Sequence, residues 1–410
     1  MKSDLDKLME KRGLDAIIVA GDEHGNPPRA YLSNGAAVTG GYVLKQRGSD
    51  PILVVNPMEI EEGAKSGLQT YSFNEFDWGA LLKSLDGDIP KATVVFWKRM
   101  LQKIGLESGK VGVYGAGTIN QYVDLVRMVG EQYPGYQLVG EMGMTLFDEA
   151  YVTKDADEIN RIKSVAERTS AVLQATWDFI GEHQSEGEIV VKGDGSPLTI
   201  GDVKRFVRRE LLDRDLEDDA MIFAEGHDGG VPHSRGEAEM PLKLGQAIVF
   251  DLFPREIGGG YYHDSTRTWS IGYAAPEVQE AYQQVMDAFD VAVDNFRVNA
   301  PAKIMQEAVQ DYFESKGHPT TRSNPATQVG YVHSLGHGVG LNIHERPSIG
   351  HMSKDVLQAG NVISIEPGLY YPERGFGVRI EDLCYIDAGG NLVDLTTFHK
   401  DLVLPLRKSE

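Results

Sequence analysis

The sequence predicts an α/β N-terminal domain over residues 1–150 and an α+β C-terminal domain over residues 151–410 with a pseudo-twofold internal repeat. Three observations favour this architecture. Helix and strand patterns alternate in the first part, amphipathic helices separated by Gly-rich segments follow, and two stretches of the second part match each other. Because 410 residues are too many for one small core, two domains are also the expected number.

Short apolar runs predict the elements of the N-terminal domain. A helix with one apolar face ends at Gly13, and a buried strand follows at residues 16–20. Similar strands are expected at residues 51–55 and 110–114. Strands of this kind between helical segments are typical of an α/β sheet.

In the C-terminal domain, apolar residues at helical spacing predict three helices. We expect the first to be capped by Thr153, with acidic residues in its first turn. The second is expected to begin at Thr199 and the third at Pro276. The segments between them are Gly-rich and strand-like, which indicates helices packed on a sheet.

Composition argues against several classes of protein. The net charge is −21 and there is no basic run, so we expect no nucleic-acid partner. No stretch has the roughly 18 apolar residues of a membrane helix, and the charged N-terminal segment does not resemble a secretory signal. The single cysteine, Cys384, excludes an internal disulfide and a thiolate zinc cluster. We therefore expect a cytoplasmic protein without a membrane partner.

The internal repeat joins carboxylates in pairs. Residues 242–251 read L-x-x-G-x5-D, and residues 357–366 read L-x-x-G-x5-E. In each copy a Gly-rich connection then leads to a second strand with its own carboxylate. Hairpins of this size place two such carboxylates on facing strands, a side chain apart. The pairs are Asp251 with Asp264 and Glu366 with Glu381.

Four carboxylates in one pocket require cations. Like charges cannot share a pocket without a counter-charge, and two divalent metals would offset the four acids. A Gly-rich segment with three histidines, His333, His337 and His344, offers an imidazole ligand. Oxygen ligands with one imidazole favour Mn or Co, with Fe and Zn as alternatives. A single acid could simply face solvent at a strand end, whereas the matched quartet indicates a metal site.

These motifs together resemble the pita-bread metallopeptidases, which include methionine aminopeptidases, aminopeptidase P, prolidases and creatinases. HSLGHGVGLNIHE, ISIEPGLY and GVRIED carry the resemblance, with D-x-F and YYHDSTRT upstream, over most of residues 220–385. GLDAIIVAG and AYLSN are similar to the extra N-terminal domain of the creatinase, prolidase and aminopeptidase P branch. The resemblance implies a pita-bread catalytic domain in the second half of the chain.

The resemblance also implies the roles of five ligands. Asp251 would chelate one metal, and His337 with Glu366 would bind the other. Asp264 and Glu381 would bridge the pair. The two ions would hold a bridging hydroxide that attacks the scissile carbonyl. Glu366 would in addition shuttle a proton to the leaving nitrogen.

Further residues match positions around the substrate. His233 and His344 would hydrogen-bond the tetrahedral intermediate or the leaving group. His333 matches a histidine of the proline-specific branch. Arg379 shares a face with Glu381, which suits it to substrate binding or to orienting a bridging carboxylate. His263, beside Asp264, is interpreted as structural.

Near His344, the sequence departs from the pattern of dipeptide-specific prolidases. Ser348 stands where many dipeptide-specific prolidases carry an arginine for the substrate carboxylate, with Arg346 displaced by two residues. Glu345 and Arg346 are expected to form an ion pair at the rim of the site. His227, in a Gly-rich loop, could line the entrance or be exposed.

The leading functional hypothesis is hydrolysis of the peptide bond that precedes proline. The substrate would be a peptide with proline at its second position, cleaved by an Xaa-Pro aminopeptidase or an Xaa-Pro dipeptidase. The X–Pro amide lacks an N–H group, so such an enzyme needs a dedicated pocket. The alternative is a metal-dependent lyase or amidohydrolase acting on a small non-peptide substrate. A binding module without catalysis is disfavoured because all five ligands are present. The resemblance also implies a homodimer.

Overall fold

The computed structural model describes residues 4–22, 25–218 and 220–407. The chain divides into two compact units, Met1–Tyr151 with Gly258–Gly260 and Val152–Ile257 with Tyr261–Glu410. Each unit contains both helices and strands. The predicted domain boundary at residue 150 stays a prediction, because a compact unit need not fold alone.

Helices and strands alternate in the first unit, whereas the strands of the second unit follow one another in longer runs. The helices are α1 (Leu5–Lys11), α2 (Pro27–Ser33), α3 (Ile60–Ala64), α4 (Trp78–Ser84), α5 (Ile89–Lys103), α6 (Ile119–Gln132), α7 (Leu146–Ala150), α8 (Ala156–Gly181), α9 (Ile200–Leu212), α10 (Pro276–Asp294) and α11 (Lys303–Ser315). The strands are β1 (Ala16–Ala20), β2 (Tyr42–Gln46), β3 (Ile52–Val55), β4 (Gln69–Ser72), β5 (Gly109–Gly115), β6 (Tyr136–Val139), β7 (Gln184–Glu186), β8 (Ile189–Val191), β9 (Leu216–Glu217), β10 (Ile222–Glu225), β11 (Ala247–Leu252), β12 (Arg255–Glu256), β13 (Ser265–Ile271), β14 (Gly336–Gly338), β15 (Glu345–Ile349), β16 (Val362–Ile365), β17 (Gly368–Tyr371), β18 (Phe376–Arg379), β19 (Asp382–Ile386), β20 (Leu392–Asp394) and β21 (Val403–Leu404).

The first unit is built on one mixed sheet of order β4-β3-β2-β1-β5-β6. Strand β1 runs parallel to β5 and antiparallel to β2. All five residues of β1 are buried, as expected for a central strand with both faces covered. The three strands predicted from apolar runs are β1, β3 and β5, and they confirm the α/β reading of this segment.

The second unit contains the two hairpins of the internal repeat. Strands β11 and β13 pair in the sheet β10-β11-β13-β21, and β16 and β19 pair in the sheet β15-β14-β16-β19-β20. Both pairs are antiparallel, with Leu252 opposite Ser265 and Ile365 opposite Asp382. Glu366 and Glu381 flank the second of these pairs and meet at the end of their hairpin. Asp251 is paired with Thr266, so Asp264 lies diagonally across from it, on the same face of the hairpin.

The helices of the second unit begin close to where the sequence places them. Helix α9 is capped by Thr199, whose side chain accepts a hydrogen bond from the backbone N–H of Asp202, and α10 begins at Pro276. The predicted cap of α8 at Thr153 is wrong. Asp155 is the cap, because Lys154 still donates its backbone N–H across to Gly360.

Within the part of the chain that the structure describes, the helices are too short or too polar to cross a membrane.

Candidate metal centre

A cavity of about 530 Å³ in the second unit brings the predicted site residues together. The two repeat hairpins, the β14–β15 segment and the loop before β11 all contribute to its wall. The predicted residues that line it are Asp251, Asp264, His337, Glu366, Glu381, His233, His333, His344 and Arg379.

Two other histidines lie elsewhere. His263 is fully buried, and its Nε2 lies 3.1 Å from the Oγ1 of Thr396, in keeping with its structural interpretation. His227 is exposed and lines a separate cavity of about 280 Å³, so it does not line the metal cavity.

His337 is oriented for metal binding through Nε2. Its Nδ1 lies 3.1 Å from the carbonyl oxygen of Gly338, to which it donates, so the lone pair remains on Nε2. That Nε2 lies 3.4 Å from Oε1 of Glu366 and 3.6 Å from Oδ2 of Asp264. Burial lowers the pKa of His337 to about 4, which keeps the ring neutral at pH 7.

The carboxylates crowd around this imidazole. Asp264, His337 and Glu381 each offer a ligand atom, and these atoms all lie within 4.8 Å of one another. Asp251 accepts a hydrogen bond from Nη2 of Arg379 at 2.8 Å on one oxygen. Its other oxygen, Oδ1, is buried and has no hydrogen-bond partner in the described part of the chain. That oxygen is free to bind a metal.

Burial and mutual repulsion both disfavour ionisation of these acids. Burial raises the pKa of Glu366 to about 8, with the charge of Asp251 adding to the effect and Arg379 opposing it. Burial, followed by the neighbouring carboxylates, raises the pKa of Asp264 and of Glu381 well above the usual range. Two divalent cations would balance four carboxylates, so the donor set fits the predicted pair of metals.

Arg379 was predicted at the site, but its hydrogen-bonded network with Thr266 and Tyr370 behind the ligands was not. Arg379 is 3% exposed, and its Nη1 and Nε donate to the hydroxyls of Tyr370 and Thr266 at 2.7 Å and 3.0 Å. The Thr266 hydroxyl in turn donates to Oε2 of Glu381 at 2.8 Å. Arg379 and Thr266 thus tie Asp251 of one hairpin to Glu381 of the other. Strand alternation could have pointed to Thr266, two residues after Asp264.

His333 and His344 occupy different parts of the cavity. The Nδ1 of His333 donates to the Ser334 carbonyl oxygen at 2.7 Å, and its Nε2 accepts from the Tyr370 hydroxyl at 2.9 Å. Burial lowers its pKa to about 4. The ring of His344 packs edge-on against that of His337, with centroids 4.4 Å apart. Desolvation, followed by His233, lowers the pKa of His344.

The predicted ion pair between Glu345 and Arg346 is wrong. Glu345 pairs with Lys154 at 2.7 Å, with side chains 3% and 2% exposed, whereas Arg346 pairs with Asp355. Neighbouring residues of strand β15 point to opposite faces, so the two side chains diverge.

Known proteins resemble the chain in sequence and in fold. A Xaa-Pro dipeptidase from Pyrococcus horikoshii is 26% identical over 401 residues, which cover 97% of each chain. A crystal structure of an X-Pro aminopeptidase from Thermotoga maritima superimposes with a TM-score of 0.76 at 19% identity, over 98% of this chain and 100% of the other. A Xaa-Pro dipeptidase from Bacillus anthracis superimposes with a TM-score of 0.75 at 22% identity, over 99% of both chains.

These likenesses confirm the predicted fold. The family model described as metallopeptidase family M24 matches residues 160–388, which include every predicted ligand. The chain belongs to metallopeptidase family M24.

Proposed function

We propose that the protein hydrolyses the peptide bond before proline in Xaa-Pro dipeptides or longer Xaa-Pro peptides, using two divalent ions, Mn or Co. The convergence of four carboxylates and a neutral imidazole on one cavity carries the proposal. The relatives named Xaa-Pro dipeptidase support the choice of substrate.

The two hairpins would supply the carboxylate ligands, and β14 would supply the imidazole of His337. Asp251 would hold one ion, His337 with Glu366 would hold the other, and Asp264 with Glu381 would lie between them. When bound, the two ions lower the pKa of a shared water to supply hydroxide and polarise the scissile carbonyl. Glu366 would move the proton from that water to the leaving nitrogen of proline.

The histidines would act on the substrate in two ways. His344 and His233 line the cavity and would donate hydrogen bonds to the tetrahedral intermediate or the leaving group. His333 has no ring donor left, because Nδ1 donates to Ser334 and Nε2 accepts from Tyr370. Its ring would therefore contact the proline by packing rather than by a hydrogen bond.

The test is release of free alanine from Ala-Pro and Ala-Pro-Ala after reconstitution with Mn or Co. We expect hydrolysis of these substrates, little hydrolysis of Ala-Gly, and loss of activity in Asp264→Asn. If the metals bind but neither proline peptide is cleaved, the proposal is wrong, and a lyase or amidohydrolase of the same scaffold takes its place.

A further inference from the structure

The wall of the metal cavity contains two arginines with different surroundings. Arg379 is buried, and its guanidinium is held by Asp251, Tyr370 and Thr266. Arg235 is exposed, and no ion pair or side-chain hydrogen bond engages its guanidinium anywhere in the described ranges. Arg235 is therefore the lining cation with donors available to a ligand.

The arginine nearest to Ser348 in sequence cannot take this part. Arg346 forms an ion pair with Asp355 and lines a neighbouring cavity of about 580 Å³ instead of the metal cavity. Ser348 lines both cavities but carries only a hydroxyl. Neither Arg346 nor Ser348 therefore supplies an unpaired positive charge to the metal cavity.

The backbone around Arg235 is fixed although its head group is free. The carbonyl oxygen of Pro232 accepts from Nη1 of Arg379 at 3.3 Å, and that of Arg235 accepts from the ammonium of Lys204. Gly236 has a φ of +74°, and a Cβ there would lie 2.2 Å from the carbonyl oxygen of Phe223 in β10. The loop is thus anchored on both sides of Arg235, which reduces the entropy lost when the side chain binds a ligand.

From these observations we propose that Arg235 binds the free carboxylate of the substrate proline and gives the enzyme a preference for dipeptides. The inference rests on the proposed function. A guanidinium can donate two parallel hydrogen bonds to a carboxylate, a geometry that an amide or ester cannot match. Arg235 also supplies a positive charge for the substrate carboxylate, whereas the carboxylates of the cavity would be balanced by the metal ions.

Substitution of Arg235 should separate two substrates that differ only in this carboxylate. With Arg235→Gln we expect kcat/KM for Ala-Pro to fall roughly 10- to 100-fold, through KM, because a charge-assisted interaction is lost. The value for Ala-Pro amide should change by less than about twofold, since that substrate lacks the carboxylate. Arg235→Lys should recover part of the loss, as an ammonium keeps the charge without the bidentate geometry.

Product binding provides a second readout. L-Proline should inhibit the wild-type enzyme more strongly than prolinamide, and Arg235→Gln should remove the difference. Lys354→Gln is the matched control, because Lys354 is an exposed cation that lines the neighbouring cavity and is not among the residues that line the metal cavity. It should leave the kinetics of Ala-Pro unchanged.

Two results would overturn the assignment. An equal loss on Ala-Pro and its amide in Arg235→Gln would show a structural role. A loss on Ala-Pro in Lys354→Gln but not in Arg235→Gln would place the carboxylate in the neighbouring cavity. A wild-type enzyme that binds metal but cleaves neither substrate would instead contradict the proposed function itself.

Discussion

The hydroxyl of Thr266 connects Arg379, which holds Asp251 of the first hairpin, to Glu381 of the second hairpin. It accepts from Nε of Arg379 and donates to Oε2 of Glu381. Groups of this kind orient a ligating carboxylate, and their loss commonly lowers metal affinity 10- to 100-fold. We expect Thr266→Val, which keeps the shape of the side chain, to weaken binding of Mn by roughly that factor. Titration calorimetry of the metal-free protein measures it.

Ser265 provides the control for that substitution. It is equally buried, but its hydroxyl has no hydrogen-bond partner in the described part of the chain. Ser265→Ala should leave the affinity for Mn unchanged. Equal losses in the two variants would mean that the strand, rather than the Thr266 hydroxyl, sets the position of Glu381.

Removal of one carboxylate should stabilise the metal-free protein. Burial, followed by the charges of Asp251 and Glu366, raises the pKa of Asp264. At pH 7 this carboxyl is ionised in the unfolded chain, so folding must either bury its charge or take up a proton, and both cost free energy. Asp264→Asn removes this cost. We expect the free energy of unfolding in the presence of a chelator to rise by about 1–3 kcal/mol, while metal-dependent activity is lost. A metal-free variant less stable than the wild type would contradict this account.

For single residues, the sequence predicts the metal-ligating acids and the histidines better than the side chains that hydrogen-bond to them. The four carboxylate ligands follow from the repeat, because both copies end an apolar run on a carboxylate and carry a second one on the next strand. The repeat does not point to Tyr370 or Arg235. The role of Tyr370 depends on its hydrogen bond with Arg379, and that of Arg235 on the lack of any partner for its guanidinium in the described part of the chain. Arg379 was predicted at the site, but only the structure shows that its donors are already engaged.

Helix α8 shows how a local signal decides where an element begins. The side chain of Asp155 accepts from the backbone N–H groups of Asp157 and Glu158, and Glu158 reaches back to the backbone N–H of Asp155. Thr153 has no such reciprocal partner three residues later, where the chain has Ala156. The capping box was therefore present in the sequence, and it favours Asp155 over Thr153.

Two alanine substitutions test this boundary. Asp155→Ala should lower the free energy of unfolding by about 1 kcal/mol, the usual loss for an N-cap. Thr153→Ala should change it by less than about 0.5 kcal/mol. Chemical denaturation of both variants provides the comparison. If Thr153→Ala is the more damaging of the two, the helix begins earlier in solution than Ala156.

The paired strands were predictable because the pattern repeats. The glycine and carboxylate of each copy mark the ends of β11 and β16, and the second carboxylate lies just before β13 or β19. Helix α11 was missed, although Met305, Val309 and Phe313 recur every four residues and are buried. A systematic count of helical spacing would have found it.

For the whole molecule, the order of α/β and α+β segments follows from the sequence, and membership of family M24 agrees with it. Composition and hydrophobic periodicity predict the secondary structure of one chain, and they do not predict its oligomeric state. The predicted homodimer accordingly stays a prediction, and so does the expected cellular location.

Metal binding should release protons from the molecule as a whole. Burial raises the pKa of Glu366 to about 8, so this acid holds a proton near pH 7 without metal. Burial also raises the pKa of Asp264 and of Glu381 well above the usual range, which favours their protonated forms. His337, with a pKa of about 4, is already neutral and contributes none. Because metals bind the ionised carboxylates, affinity for Mn should rise as the pH increases towards about 8.

The same protons make the stability of the metal-free protein fall as pH rises. In the unfolded chain Glu366 ionises near its ordinary pKa of 4.5, whereas in the folded protein it ionises near 8, so the native state binds more protons between these values. Stability must then decrease across that interval, and saturating Mn should reverse the trend. Thermal unfolding with and without metal, and calorimetry in buffers of different ionisation enthalpy, measure the two effects. A binding enthalpy independent of the buffer would refute the proposed protonation of the metal-free site.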